Sequence, residues 1–282
     1  MNNPTLREVY IKTIASLSAD NQVENDVRVL LCANNNLNSM SELFVNFDKK
    51  IFDLQRFHSD LARLIDSEPV EYIVGKSNFL GREFIVSHDV LIPRNETEEL
   101  VKYVENKLVS LNKKEFLVAD IGTGSGCIAI SLSLDLNISC IATDISLDAL
   151  KIAKLNNKHL KSNVSFLHGD ILYPLIDNDI KLDAIVSNPP YIKENFPIAG
   201  SVFDFEPHVA LFAKHGTDFY EDIFRNCKHV LNSPGYMLFE ISPDIINDLE
   251  ELLKKYLPEA HYEIVKDINQ NERILFVSVE KV

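Results

Sequence analysis

Residues 182–191 read Leu182-Asp183-Ala184-Ile185-Val186-Ser187-Asn188-Pro189-Pro190-Tyr191. The apolar run from Leu182 to Val186, bounded by turn residues, predicts a buried strand. Two consecutive prolines cannot extend a sheet ladder, because neither has an N–H to donate. The chain must therefore leave the sheet here in a stiff, extended form. That stiffness holds the Asn188 side chain and the neighbouring carbonyls at the carboxyl edge of the strand, with the Tyr191 ring immediately after. In open α/β sheets, ligands bind at that edge. Hydrogen-bond acceptors beside a flat surface suit a planar, nitrogen-bearing group. The stretch reads as a clamp for an amide or amino nitrogen that is about to react. Taken alone, Asn188 also fits an Asx turn before prolines, and Tyr191 a core aromatic.

Working outward, strand-like runs recur at Phe116–Ile121, Ile138–Thr143, Val164–Leu167, Tyr236–Ile241 and Ile274–Val279. Helical segments such as Asp148–Leu160 and Asp244–Tyr256 intervene. This alternation predicts a mostly parallel, doubly wound sheet. Only the loop Lys266–Arg273 separates Tyr262–Val265 from Ile274–Val279. It is too short for a crossover, so those two strands should be antiparallel.

Asp120-Ile121-Gly122-Thr123-Gly124-Ser125-Gly126 lies where the first of these strands hands over to a helix. Glycines let the backbone approach a ligand closely and take positive φ. The dinucleotide fingerprint requires Gly or Ala at 127, where this chain has Cys127. An acidic residue before alternating glycines fits S-adenosylmethionine better, since that ligand has no pyrophosphate to cradle. Asp144 ends the second strand about 20 residues on, where a carboxylate can take both ribose hydroxyls. Asp170 follows the third strand, within reach of an adenine amino group. Each of these acids could instead serve a helix cap or a turn.

The first seventy residues read as helical. Leu6, Val9, Tyr10, Ile14 and Leu17 keep the spacing of one helix face, as do Val23, Val27, Leu30 and Leu31. Ser39 with Glu42 has capping-box spacing. Ile51, Leu54, Phe57, Leu61, Leu64 and Ile65 mark a longer helix. Four or five helices are expected, with no visible chemistry. Tyr72–Val74, Asn78–Leu80 and Glu83–Val86 are β-prone, and Gly75 and Gly81 punctuate them, which suggests a linking hairpin. Asn95 and Glu98 are spaced to cap the next helix, with Val101, Val104 and Leu108 inward. The expected organisation is a helical docking domain at 1–70, a hairpin linker at 71–92 and the sheet domain at 93–282.

Composition narrows the function further. Hydrophobic residues make up 46% of the 282, enough for a real core, and the formal net charge is -14. A protein that grips phosphate backbones normally shows a basic face, so nucleic acid is a poor first partner. Cys32, Cys127, Cys140 and Cys227 form no C-x-x-C pair and suggest buried small hydrophobes in a reducing compartment. The eight histidines have no H-x-x-x-H spacing and pair with no cysteine as ligands, so no metal is expected. His168 and His208 fall near the proposed site in core or surface roles. Met1-Asn2-Asn3-Pro4 has no leader pattern, and no apolar run approaches the roughly 18 residues that span a bilayer. A cytoplasmic protein with no membrane partner is expected.

Asn188-Pro189-Pro190-Tyr191 together with Asp120–Gly126 resembles the class I S-adenosylmethionine-dependent N-methyltransferases. Leu91-Ile92-Pro93-Arg94, Glu96-Thr97-Glu98 and Phe205-Glu206-Pro207 sharpen this to a resemblance to the release-factor glutamine methyltransferases, over almost the whole chain. The resemblance implies an α/β fold with a doubly wound seven-stranded sheet, and a small N-terminal helical bundle joined by a β-hairpin. It implies methyl transfer from S-adenosylmethionine to the side-chain nitrogen of the glutamine in a Gly-Gly-Gln loop of class 1 peptide-chain release factors, hence a role in translation termination. Gly122, Thr123, Gly124, Ser125, Gly126, Asp144, Asp170, Ile171 and Asn188 would line the cofactor. Asn188, Pro189, Pro190 and Tyr191 would hold the substrate glutamine, with Asn188, Pro189 and Tyr191 as the catalytic set. The chain is expected to act as a monomer. Asn95, where the family usually has proline, Ile171, where a larger side chain is frequent, and Ile241-Ser242, where a glycine is common, depart from its pattern. The rival readings are an N-methyltransferase acting on an exocyclic amino group of a nucleic-acid base, a cofactor-binding module without catalysis, and a nicotinamide-dependent oxidoreductase.

Overall fold

The computed structural model describes residues 3–17, 21–111, 113, 116–193 and 200–280. Met1 and Asn2, part of the N-terminal reading, lie outside them. The chain separates into two compact units, Met1–Lys76 and Ser77–Val282.

The first unit holds helices α1 (Leu6–Leu17), α2 (Asn21–Asn34), α3 (Met40–Val45), α4 (Leu54–Ile65) and α5 (Val70–Val74). Its core gathers Leu6, Val9, Val27, Leu30, Leu31 and Phe57, positions that helical spacing predicts to face inward, together with Leu43 on α3. Ser39 caps α3, its hydroxyl accepting from the Glu42 N–H at 3.2 Å. The Glu42 carboxylate takes the Asn38 N–H at 2.8 Å, so the box closes one residue earlier than its spacing implies. Tyr72–Val74 is not a strand. Pro69 precedes a helical turn, and Gly75 at φ 75° ends it in the left-handed conformation that favours glycine. The hairpin pairs β1 (Lys76–Phe79) with β2 (Arg82–Ile85) instead.

The second unit continues with α6 (Asn95–Ser110), β3 (Leu117–Ile121), α7 (Cys127–Leu136), β4 (Ser139–Asp144), α8 (Leu147–Leu160), β5 (Val164–His168), α9 (Tyr173–Ile176) and β6 (Leu182–Ser187). Beyond the clamp come β7 (Ile192–Lys193), α10 (Gly200–Phe205), α11 (His208–Leu211), β8 (Phe212–Ala213), α12 (Asp218–Asn226), β9 (Leu231–Glu240), α13 (Ile246–Tyr256), β10 (His261–Lys266) and β11 (Glu272–Val279). Asn95 does not cap α6. It is the first helical residue, and Arg94 occupies the cap position without a side-chain bond. Glu98 accepts the Leu80 N–H of the hairpin turn at 2.7 Å, which removes it from any capping role.

Seven strands form one sheet in the order β10-β11-β9-β6-β3-β4-β5. β11 is antiparallel to both its neighbours, and the other pairs are parallel. Side chains alternate between two cores, with one irregularity between Leu182 and Ala184 of β6. Ala119, Ile121, Ile185, Met237, Phe239, Leu275 and Val277 pack on one face. Val118, Ala184, Val186, Leu238, Ile274 and Phe276 pack on the other. A period of two with both faces apolar requires helices on both sides, which is the doubly wound arrangement. From β3 the chain winds outward to β4 and β5, then returns to place β6 on β3's other side. The carboxyl ends of β3 and β6 therefore flank the point where the winding reverses, and there the helices diverge to leave a crevice. Among the described residues no helix is long and apolar enough to cross a membrane.

Candidate active site

The crevice is a cavity of about 560 Å³, within the usual range for a small-molecule site. One end is built by the loop after β3. Gly122, Gly124 and Gly126 all take positive φ, at 71°, 54° and 84°. Gly126 is constrained twice over: a Cβ there would lie 2.9 Å from Ile130 Cδ1 and 3.3 Å from Ala153 Cβ. Only a bare backbone lets α7 start so close to α8. The Gly122 and Thr123 N–H groups donate to the Thr143 carbonyl at 2.9 and 3.0 Å, stitching the loop to the end of β4.

Two acids fix this loop. Asp120 is buried, accepting from the Thr123 hydroxyl at 2.5 Å and the Ala129 N–H at 3.2 Å. Burial outweighs these bonds and raises its pKa to about 7. Asp144 takes the Gly124 N–H at 2.8 Å with one oxygen and the Ser146 N–H at 2.8 Å with the other. Burial pushes its pKa up, against those N–H donors. A carboxylate has about four acceptor sites, so Asp144 keeps capacity for a ligand hydroxyl. Ser146, not Asp144, caps α8.

Asp170 and Ile171 line the same cavity from the loop after β5. Ile171 has φ 42°, a conformation that β-branched side chains avoid. The Thr143 hydroxyl, donating to its carbonyl at 3.1 Å, holds it there. Gly122, Thr123, Gly124 and Ser125 line the cavity, whereas Gly126 lies behind it. Ser125 Oγ is buried there with no nitrogen or oxygen partner. Bare glycine backbone, a loop of N–H groups, Asp144 and the unpartnered hydroxyl make a donor set that fits S-adenosylmethionine.

At the other end, Ser187 anchors the clamp by donating to the Ile121 carbonyl at 2.5 Å, tying β6 to the end of β3. Asn188 and Pro190 line the cavity. Asn188 Nδ2 donates to Thr97 Oγ1 at 3.0 Å, the one hydrogen bond of that side chain among the described residues. Its oxygen accepts no hydrogen bond among those residues. Pro189 is buried, and Tyr191 packs half-buried against the core; neither lines the cavity. Burial raises the Tyr191 hydroxyl to about 12, with the Glu240 charge adding to it, so the ring is neutral.

The chain beyond the clamp folds back over the cavity. β7 pairs with β8, which returns Pro207, Val209, Ala210 and Phe212 to its wall. The opposite wall carries Arg94 and Thr97. Arg94 pairs with the buried Glu206 carboxylate, so the Ile-Pro-Arg and Phe-Glu-Pro segments meet across the site. His168 Nε2 lies 3.0 Å from the Ile145 carbonyl and His208 Nε2 2.8 Å from the Phe203 carbonyl, consistent with scaffold roles. Cys127 also lines the cavity; burial raises its pKa to about 12, so it is a neutral thiol.

Thr97 and Glu240 are the residues that sequence reasoning left without a role. Thr97 Oγ1 donates to Glu240 Oε2 at 2.7 Å, and both residues are 2% exposed. The available signal was an acid inside the apolar run Tyr236–Ile241, since a buried carboxylate needs a reason.

A parallel sheet with one antiparallel strand near its edge, a glycine loop after its first strand and an Asn-Pro-Pro-Tyr turn at the reversal point define a class I methyltransferase. The fold likeness extends to a methyltransferase from Pyrococcus furiosus, with a TM-score of 0.53 at 16% identity, over 79% of this chain and 99% of that one. Residues 97–201 match the family model described as methyltransferase small domain. The chain is 41% identical over 228 residues to a release factor glutamine methyltransferase of Staphylococcus aureus, covering 79% of this chain and 80% of that protein. It is 36% identical over 271 residues to one of Bacillus anthracis, covering 94% and 95%. The protein belongs to the release factor glutamine methyltransferase family.

Proposed function

We propose that this protein methylates the side-chain amide nitrogen of the glutamine in the Gly-Gly-Gln loop of class 1 peptide-chain release factors, in the cytoplasm, with S-adenosylmethionine as donor. The observation that carries the reading is the orientation of Asn188. Its NH₂ is engaged by Thr97 and the residue lines the cavity, so the side-chain oxygen is the end left to accept from a ligand.

Gly122 to Ser125 and Asp144 would hold the cofactor, with Asp170 and Ile171 at its adenine end. When bound it supplies an electrophilic methyl on a sulfonium. The protein has little acid–base work to do. The amide nitrogen is a poor nucleophile, because its lone pair is delocalised into the carbonyl. Asn188 Oδ1 and the Pro189 carbonyl would accept its two hydrogens and aim the nitrogen. Placement of this kind reaches effective molarities on the order of 10⁵–10⁸ M. Tyr191, neutral and packed against the core, would stiffen the turn that carries Asn188. No strong base is required, since the nitrogen becomes acidic only as the new bond forms. The helical unit would dock the release factor.

The test is tritiated methyl transfer to a purified release factor and to its loop Gln→Ala variant. Label is expected in the first only. Equal label in both, or label in an oligonucleotide and not in the release factor, would refute the reading.

A further inference from the structure

We propose that Thr97 and Glu240 are positioning residues for methyl transfer, a hydrogen-bond relay that determines which end of the Asn188 carboxamide faces the cavity. The inference rests on the amide-clamp function proposed above.

A carboxamide has two ends of nearly the same shape and opposite hydrogen-bonding sense. Only the oxygen end can accept a substrate N–H; the NH₂ end would set donor against donor. Something must therefore choose between them. Asn188 Nδ2 donates to Thr97 Oγ1 at 3.0 Å, and Thr97 Oγ1 donates to Glu240 Oε2 at 2.7 Å. Thr97 has a single hydroxyl proton. While Glu240 is ionised it can only accept, so it takes that proton and leaves Thr97 a lone pair to offer. The NH₂ end of Asn188 is the end that can use a lone pair, and the oxygen is turned away from Thr97. If Glu240 is protonated, the constraint is lost. The carboxyl can donate to Thr97, Thr97 can donate to Asn188 Oδ1, and the carboxamide is free to rotate by half a turn.

The surroundings of Glu240 leave it dependent on this relay. Among the described residues it forms no ion pair. Arg273 on β11 and Arg94 ahead of α6 are the facing cations, but Arg273 pairs with Asp267 and Arg94 with Glu206. Glu96 on α6 faces it as a like charge. Tyr191 after β6, Tyr220 on α12 and Cys127 on α7 complete the shell. Tyr220 contributes its hydroxyl to the Glu240 carbonyl at 2.6 Å, which fixes the backbone but leaves the carboxylate to Thr97. Burial in this shell raises the Glu240 pKa to about 7. The carboxylate thus titrates where the enzyme would work, and the direction of the relay titrates with it.

Glu240→Gln keeps the shape and removes the obligatory acceptor. Thr97→Val removes the hydroxyl, and Thr97→Ser keeps it. With release factor and cofactor saturating, kcat is expected to fall on the order of 100-fold in Glu240→Gln and Thr97→Val, the scale of a displaced reacting group, while Thr97→Ser retains most of it. Wild-type kcat should rise tenfold per pH unit below the Glu240 ionisation, and that limb should flatten in Glu240→Gln. The Asn188 side-chain NH₂ resonance provides a readout independent of substrate, and should shift with the same midpoint in wild type alone. Wild-type kcat and pH profile in Glu240→Gln would overturn the relay. Were that variant unfolded, equal kcat for Thr97→Val and Thr97→Ser would overturn it. A titrating Asn188 resonance without methyl transfer to the release factor would instead refute the proposed function and leave the relay standing.

Discussion

The two ends of the cavity are built on opposite plans. At the cofactor end, the bonds that shape the loop are mostly short-range or run to the adjacent strand, Asp120 to Thr123 and Ala129 and Gly124 to Asp144, with Asn156 on α8 adding one to the Ser125 carbonyl. At the clamp end, Asn188 depends on Thr97, 91 positions earlier, and Thr97 on Glu240, 143 positions later. Each end holds one buried carboxylate with a pKa near 7. The same electrostatic cost thus serves two purposes, pinning a backbone in one case and a side-chain orientation in the other. A loop of the first kind should be damaged by substitutions within it. A clamp of the second kind should be damaged from a distance, with its own backbone intact.

The largest expected effect is at the clamp. Asn188→Ala removes an acceptor aimed at the reacting nitrogen, and kcat should fall about 100- to 1000-fold, as when one preorganised electrostatic partner is lost. Cofactor affinity, measured by calorimetry, should change only a few-fold, because the loop that holds it is bonded elsewhere. Turnover within a factor of three of wild type would abolish the contrast between the two ends. The next effect is at the loop. Gly126→Ala places a side chain at φ 84° and 2.9 Å from Ile130. The left-handed conformation costs about 1–2 kcal/mol and the overpacking about 1–3 kcal/mol more. Denaturant unfolding of the variant should show most of that sum, together with weaker cofactor binding. An unchanged unfolding midpoint would mean that α7 can shift from α8 and that the loop is less constrained than its geometry implies.

This contrast also explains what could be read in the sequence. Strand–helix alternation, the antiparallel last pair and the glycine loop rest on local pattern, and all are present. Asp144 and Asp170 fall on the cavity because strand ends in a doubly wound sheet share one edge. The failures were local signals overridden by neighbours. Asn95 and Glu98 have the spacing of a cap, but the Leu80 N–H claims Glu98. Tyr72–Val74 is β-prone, but Pro69 and Gly75 bracket it as a single helical segment. Thr97 and Glu240 are present in the sequence as residues but cannot be seen there as a pair. No periodicity links positions that meet only after β9 is laid beside β6 and α6 is packed over the edge.

The smallest effect isolates the electrostatic cost of the clamp. Folding raises the Glu240 pKa from the ordinary 4.5 to about 7. Between those values the folded chain holds a proton that the unfolded chain has released. Stability from this residue is therefore full below pH 4.5, falls as pH rises through the window, and levels off above about 7. The shift caps the loss at about 3 kcal/mol by linkage, and relaxation around a buried charge should reduce it to about 1–2 kcal/mol. Glu240→Gln cannot ionise, so its stability relative to wild type should rise by that amount between pH 5 and pH 8, even as its turnover falls. Urea unfolding of both proteins at the two pH values measures it directly. Parallel stabilities across the range would mean that folding does not raise the Glu240 pKa, so that the carboxylate is ionised at both pH values and the relay has no titration near pH 7.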